Sequence, residues 1–341
     1  MQNLPNILIP WYRANARDLL WRRDRQPYHV WLSEIMLQQT RVEAVTEHYR
    51  TFLEELPDIK ALAEVSDEKL HKLWQGLGYY RRADNLKKCA QAIMEKHEGI
   101  FPTDHASVLA LPGIGDYTAG AICSICFDQP IPAVDGNVLR VVTRLMCDNS
   151  PIDEQKTKRR ITQALEEIYP EENAGDFTQS LMELGATVCL PNGAPKCGIC
   201  PIAELCEARK SNTVLQYPVK KEKKARRLEE RTVFILTCGS RLAICKRKET
   251  GLLAGLWQFP NIEGKLDAQQ ALDTAKEFGL HIRNITLQIE RTHIFTHVQW
   301  DMRAFYMTCN NMTEEFTWTT LDEIQSTYAL PTAFAMFIPK E

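Results

Sequence analysis

Leu111-Pro-Gly-Ile-Gly-Asp-Tyr-Thr118 sets two glycines around one apolar residue, ahead of the small and apolar run Ala119-Gly-Ala-Ile-Cys-Ser-Ile-Cys126. Without side chains at Gly113 and Gly115 the chain can turn tightly between two helices, and its backbone N–H groups can come close to a phosphate. Such a hairpin grips a nucleic-acid backbone by position and does not read bases, because phosphates are alike at every step. Taken alone, Pro-Gly-Ile-Gly also fits an ordinary helix–helix turn. Its place before an apolar helix, about twenty residues ahead of an aspartate, favours the phosphate-gripping role.

That aspartate is Asp135, in Ile131-Pro-Ala-Val-Asp-Gly-Asn-Val138. It falls near the start of a helix, where Asp is a common N-cap. A second acid adds to this. Glu34 sits in Val30-Trp-Leu-Ser-Glu-Ile-Met-Leu-Gln-Gln-Thr40, with Trp31 and Leu37 three residues to either side on the same helical face. A carboxyl so enclosed is expected to have a raised pKa and to stay protonated near neutrality. One acid that donates a proton and one carboxylate that faces developing positive charge is the chemistry of glycosidic cleavage.

Cys189, Cys197, Cys200 and Cys206 follow as C-x7-C-x2-C-x5-C among Pro191, Gly193, Pro195, Gly198 and Pro201. Four soft thiolates on one turn-rich stretch can hold a zinc ion or an iron-sulfur cluster. A single x2 pair flanked by two lone cysteines suits the corners of a [4Fe-4S] cubane better than the paired knuckles of structural zinc. Buried, unligated cysteines are the plainer alternative, which the turn residues disfavour. The other seven cysteines show no framework spacing, and Cys123 and Cys126 sit in an apolar run that reads as packing. With no secretory signal and no membrane-spanning run in view, a cytoplasmic location is expected.

The chain has 341 residues and a formal net charge of −3, so nucleic-acid contact has to come from local groups and not from a basic whole-protein field. Periodicity near 3.6 predicts helices at about 28–55, 66–74, 80–97, 105–110, 116–127, 137–147, 153–168 and 174–189. The first half is therefore all-α. The basic run Lys220-Lys-Glu-Lys-Lys-Ala-Arg-Arg227 reads as a connector, expected over 211–230. Beyond it, Thr232–Thr237, Leu242–Cys245, Ile285–Ile289, Val298–Trp300 and Met302–Met307 read as strands and Ala268–Phe278 as a helix, an α+β domain over 231–341.

These motifs, with Trp21-Arg22, Gly76-Leu-Gly-Tyr-Tyr80 and Met182-Glu-Leu-Gly-Ala186, resemble the helix-hairpin-helix, iron-sulfur DNA glycosylase superfamily and, within it, the adenine DNA glycosylases. The resemblance implies a glycosylase domain over 1–210, with a six-helix module at about 24–131 and an iron-sulfur module from 1–23 and 132–210. It implies removal of adenine mispaired with 8-oxoguanine or guanine by base flipping, on double-stranded DNA and by a monomer. Glu34 would protonate N7 of adenine, and Asp135 would stabilise the oxocarbenium-like sugar, with Tyr117 and Asn137 shaping that side. Trp21, Arg22 and Gln179 match adenine-pocket positions; Gln38, Gln39 and Tyr79 match DNA-contacting and wedge positions. The hairpin carbonyls are a further place for a monovalent cation.

Tyr117 stands where the glycosylase/lyase relatives carry a Schiff-base lysine, which implies an intact abasic strand as product. The last domain resembles a Nudix fold that has lost its metal site: Leu272-Asp273 and Lys276-Glu277 replace Arg-Glu and Glu-Glu, leaving too few carboxylates for Mg²⁺. His293-Ile-Phe-Thr-His297 resembles a Phe-Ser-His loop that recognises 8-oxoguanine, with Phe295, Thr296 and His297 as its residues. A glycosylase/lyase for oxidised pyrimidines, a non-catalytic iron-sulfur DNA-binding protein and a Nudix hydrolase are the competing readings. They are disfavoured by Tyr117, by the paired acids and by the missing carboxylates, respectively.

Overall fold

The computed structural model describes residues 1–222 and 225–339; Lys223 and Lys224 of the basic run lie outside the described residues. The chain forms two compact units, one from Met1–Val65 and Asp84–Glu222, the other from Ser66–Ala83 and the described residues beyond 224. The first is helical, with α1 (Leu4–Asn15), α2 (Pro27–Leu37), α3 (Val42–Glu55) and α4 (Ile59–Glu64) ahead of α5 (Asp67–Trp74), which groups with the second unit. Then come α6 (Arg81–Lys96), α7 (His105–Leu109), α8 (Asp116–Phe127), α9 (Gly136–Met146), α10 (Gln155–Glu166), α11 (Ala174–Thr187) and the one-turn α12 (Glu207–Lys210).

The helical unit departs from the periodicity in several places. The stretch expected as one helix over 28–55 is two, α2 and α3, separated at Gln38-Gln39-Thr40-Arg41, where Gln39 takes a left-handed backbone with φ 58°. No glycine or proline marks the break. A non-glycine residue held there costs about 1–3 kcal/mol and persists only where surrounding structure enforces it. Helices α1 and α4 were not expected; α4 is too short for its period to register, but it is capped by Asp58, which accepts from Ala61 N–H at 2.7 Å.

The N-terminal helix earns its place by tertiary packing. Leu4 and Leu8 of α1 share one core with Val138, Leu139 and Val142 of α9 and with Phe177, Leu181 and Leu184 of α11. Close approach is built in where helices cross. A β-carbon on Gly120 of α8 would lie 2.2 Å from the Pro132 carbonyl oxygen, and one on Gly185 of α11 would lie 2.5 Å from Cβ of Asn137. Gly185 therefore lets α11 press against the first turn of α9, beside Asp135.

In the second unit a mixed sheet of β1 (Arg227–Cys238), β2 (Arg241–Lys246), β3 (Trp257–Gln258), β4 (Asn261–Glu263), β5 (Ile282–Ile294), β6 (Val298–Cys309) and β7 (Thr317–Thr319) has the order β3-β2-β1-β6-β5. β4 pairs with β1 and β7 with β2, and β1 and β6 run parallel. The continuous apolar run on β1 follows from burial on both faces: Val233 and Ile235 pack on one side, towards Phe334 of α15 (Thr332–Ala335), while Phe234 and Leu236 pack on the other, against Ala271 and Ala275 of α13 (Ala268–Glu277). Ile324 of α14 (Leu321–Ser326) joins the first of these cores. Strand β1 starts at Arg227, so the last residues of the span expected as connector are strand. The two strands expected on either side of Asp301 are one, β6, because Asp301 points outward to Lys265 at 3.3 Å and does not interrupt the ladder. Lys72 of α5 is held in this unit by the Ile324 and Tyr328 carbonyls at 3.2 and 3.3 Å.

Candidate active site

Glu34 lies on the buried helix α2, and Asp135 caps α9; both line a single cleft of about 720 Å³ in the helical unit. That volume is in the range of small-molecule pockets, about 300–1,000 Å³. Burial raises Glu34 to a pKa of about 7, with the hydrogen bond from Tyr117 opposing the shift and the nearby Asp135 adding to it. The Tyr117 hydroxyl donates to Glu34 Oε2. Burial, together with the two carboxylates, holds that phenol well above its ordinary value, so it remains a donor.

Asp135 is held differently. Its Oδ1 accepts from Val138 N–H at 2.8 Å as the helix N-cap, and its Oδ2 accepts from Asn137 Nδ2 at 2.6 Å. Burial moves its pKa upward, while these two donors favour the charged form. Burial thus raises both acids of the cleft, but their donors differ: one phenol at Glu34, and a backbone amide with a side-chain amide at Asp135.

The cleft is also lined by Trp21, Arg22, Gln38, Gln39, Tyr117, Asn137 and Gln179. Gly113 and Gly115 lie away from it, on the hairpin between α7 and α8. There Gly113 has φ 76° against the Asn85 side chain, and Gly115 starts α8 with open space where a β-carbon would be. Tyr79, Phe295, Thr296 and His297 do not line the cleft either; they belong to the second unit. Phe295 leans on Trp300 with ring centroids 4.8 Å apart. Thr296 and His297 are exposed in the turn joining β5 to β6, so the expected loop is a hairpin turn and not a stretch of paired strand. The Thr296 hydroxyl meets the Tyr79 hydroxyl at 2.6 Å, and Tyr79 has a left-handed φ of 48°.

Three supporting residues escaped the sequence reading. Glu183, fully buried, accepts from Arg17 Nε at 2.7 Å and from Arg22 Nη2 at 2.7 Å, fixing the guanidinium that faces the cleft. Burial alone would raise Glu183; the two arginines overcome it and hold the carboxyl below its usual range. Arg140 donates to Asn137 Oδ1 at 2.7 Å and to the Cys189 carbonyl at 2.7 Å, a bonded path from the cysteine loop to Asp135. Arg144 donates to Cys189 Sγ at 3.3 Å and to the Leu190 carbonyl at 2.9 Å. The available signal was a charged residue on an otherwise apolar helix face: Arg140 and Arg144 one turn apart on α9, and Glu183 within α11.

Cys189, Cys197, Cys200 and Cys206 wall one small apolar cavity together with Val141, Leu145, Leu184 and Ile202. Gly193, at φ 71°, takes up the long first gap as a bend. Among the described residues no three such ligands are placed to close on a single ion. Four thiols that surround a shared space, with the Arg144 guanidinium beside them, fit a multi-iron cluster in donor type and in charge.

In the second unit Asp273 of α13 bonds Lys276 at 2.8 Å and Gln269 at 3.1 Å on an exposed helix face.

Fold and cleft together define a DNA glycosylase of base excision repair. Residues 32–171 match the model of the HhH-GPD superfamily base excision DNA repair proteins, and residues 232–340 match that of the NUDIX domain. The chain belongs to the adenine DNA glycosylase family: it is 37% identical to the adenine DNA glycosylase of Buchnera aphidicola subsp. Schizaphis graminum, over 76% of this chain and 75% of that one. It is also 31% identical to the Homo sapiens protein of that name, over 96% of this chain and 71% of that one. The Arabidopsis thaliana adenine DNA glycosylase is 35% identical over 86% of this chain, which spans 55% of that protein's length. Among solved structures, a thermostable thymine-DNA glycosylase superposes with a TM-score of 0.55 at 26% identity, covering 60% of this chain and 94% of that one. A non-covalent endonuclease III–DNA complex, at 24% identity and a TM-score of 0.52, covers 62% of this chain and 97% of that one and shares the fold. The architecture is thus an all-α helix-hairpin-helix glycosylase region followed by a Nudix-like α+β region. Among the described residues no helix is long and apolar enough to cross a membrane.

Proposed function

We propose that the chain flips adenine out of duplex DNA where it is mispaired with 8-oxoguanine or guanine, and hydrolyses its N-glycosidic bond to leave an intact abasic strand. The observation that carries this reading is the pairing of Glu34 and Asp135 in one cleft, with one donor on Glu34 and two on Asp135. A protonated Glu34 gives its proton to N7 of the extruded purine, the C1′–N9 bond breaks so that adenine departs as a neutral base, and water bonds to C1′ and loses a proton to complete the hydrolysis. Asp135 stays charged against the electron-poor sugar, and Asn137 and the Val138 amide keep its oxygens aimed. Tyr117 orients Glu34 through its hydrogen bond and offers no amine for an imine. Arg22, Trp21 and Gln179 line the base-binding side. Gln39 in the first unit and Tyr79 in the second, each held in a left-handed backbone, each take a wedge role against the base stack, with Gln38 beside Gln39 at the cleft. Gly113 and Gly115 present backbone amides to the phosphates, and the hairpin carbonyls can take a monovalent cation.

Duplexes carrying A opposite 8-oxoguanine, G or T, resolved on denaturing gels with and without alkali, test the reaction. The expected product is cleaved only after alkali. Strand nicking without alkali, together with borohydride trapping, would rule out a monofunctional enzyme.

Phe295, Thr296 and His297 carry recognition of the opposite base, with Phe295 fixed by Trp300 and the Thr296 hydroxyl, bonded to Tyr79 at 2.6 Å, keeping a lone pair for a further donor. Replacing both Phe295 and His297 with alanine should bring the rate ratio for A opposite 8-oxoguanine over A opposite G close to one; an undiminished ratio removes the loop from the mechanism.

Cys189, Cys197, Cys200 and Cys206 would hold a [4Fe-4S] cluster, whose contribution is to brace the loop that reaches Asp135 through Arg140. Aerobically purified protein should contain about four irons and four sulfides per chain, and C200S should lose them along with the visible absorbance. One zinc per chain would contradict the assignment. DNA is the partner, engaged by a single copy of the chain.

A further inference from the structure

Four cationic side chains line the cleft that holds Glu34 and Asp135: Arg17, Arg22, Lys158 and Lys220. The two arginines are committed to Glu183, at 2.7 Å each. Lys158 and Lys220 are not: no carboxylate among the described residues lies within ion-pair distance of either. Their neighbours are neutralised instead, with Lys156 and Lys221 both paired to Glu154 at 3.0 and 3.2 Å. Asp153, the acid on the same rim, accepts the Lys221 N–H at 3.1 Å.

The segment carrying Lys220 is pinned on both sides. Ile152 N–H donates to the Val219 carbonyl at 3.0 Å, and Lys221 is held by its amide and its ammonium. With Lys221 turned to Glu154, the side chain of Lys220 is the one left on the cleft, which Lys158 of α10 also lines. The first residues of the basic connector are therefore part of the cleft wall and not a free tether.

The geometry points to a two-lysine clamp: Lys158 and Lys220 grip the phosphodiesters that flank the extruded nucleoside. It rests on the proposed function. A nucleoside inserted as far as Glu34 brings its own flanking phosphates to the rim, where two ammonium groups without carboxylate partners stand. A chain of net charge −3 has no general attraction for a polyanion, so such local cations have to supply the hold. The clamp also gives the two lysines a task other than imine formation, since their ammonium groups would be engaged by phosphate.

The test is equilibrium binding of the full chain to a labelled duplex with 2′-fluoro-2′-deoxyadenosine, whose glycosidic bond resists cleavage, opposite 8-oxoguanine. Affinity is followed between about 50 and 200 mM salt. Each of K158Q and K220Q should lower the slope of log affinity against log salt by about 0.9, and the double variant by about 1.8. K158R/K220R should restore the wild-type slope, and K156Q, whose lysine is spent on Glu154, should leave it unchanged. A double variant with the wild-type slope overturns the clamp. Excision of ordinary adenine by the wild-type preparation is scored separately: its absence sinks the proposed function, whereas normal excision with an unchanged double-variant slope sinks only the clamp.

Discussion

Glu34→Gln should lower single-turnover excision of adenine by about 10³-fold, near the middle of the range for a positioned general acid, while affinity for the mismatch stays within a few-fold of wild type. Glutamine keeps the size of the side chain and an oxygen that accepts the Tyr117 hydroxyl, so the walls of the cleft stay in place. Only the proton is gone. The wild-type enzyme carries the matching pH signature. Burial raises Glu34 to about 7, so the acid form predominates below that pH and falls about tenfold per unit above it. The excision rate should therefore decline on the alkaline side with an apparent pKa near 7, and that limb should be absent from the residual rate of Glu34→Gln. Rapid-quench assays across pH check both statements. Turnover equal to wild type in the variant would remove Glu34 from the acid role.

Asp135→Asn separates structure from chemistry in the second acid. Asparagine is as good an N-cap as aspartate, and its amide oxygen can still accept from the Val138 N–H that Asp135 Oδ1 now takes at 2.8 Å. The cap is kept, but the new amide nitrogen faces the Asn137 Nδ2 donor that Asp135 Oδ2 now accepts at 2.6 Å, so the melting temperature should fall by a few degrees. Excision should fall by about 10³-fold, the upper end for losing one group aimed at developing charge in a dry site, because a neutral amide cannot balance a cationic sugar. A capping residue and nothing more would behave in the reverse way under Asp135→Ala, with reduced stability and retained excision. Measuring melting and single-turnover rates on both variants distinguishes the two. Wild-type excision by Asp135→Asn would end the electrostatic role.

Much of this was open to reading in one dimension because the chemistry constrains short stretches. Gly113 and Gly115 announce a turn, the four clustered cysteines meet around one cavity, and an acid between Trp31 and Leu37 announces a raised pKa. The unbroken apolar run on β1 likewise announces a strand covered on both faces. The break between α2 and α3 was not open to reading: Gln38-Gln39-Thr40 contains no helix breaker, and Gln39 is forced into its backbone by its surroundings. The same holds for Glu183, whose partners Arg17 and Arg22 lie more than 160 residues away along the chain, and for Arg140, which joins Asn137 of its own helix to Cys189, 49 residues further on.

Residue types and local spacing by themselves determined the hairpin, the helix cap at Asp135, the cysteine set and the change from helical to strand texture near residue 230, because each depends on groups within a few positions of one another. Tertiary structure alone decided that Glu34 and Asp135 share a cleft, that Glu183 fixes the arginines of that cleft and that Lys220 belongs to its wall. Those outcomes depend on packing and ion pairing between distant segments, whose energies are set by which surfaces meet and leave no periodic trace along the chain.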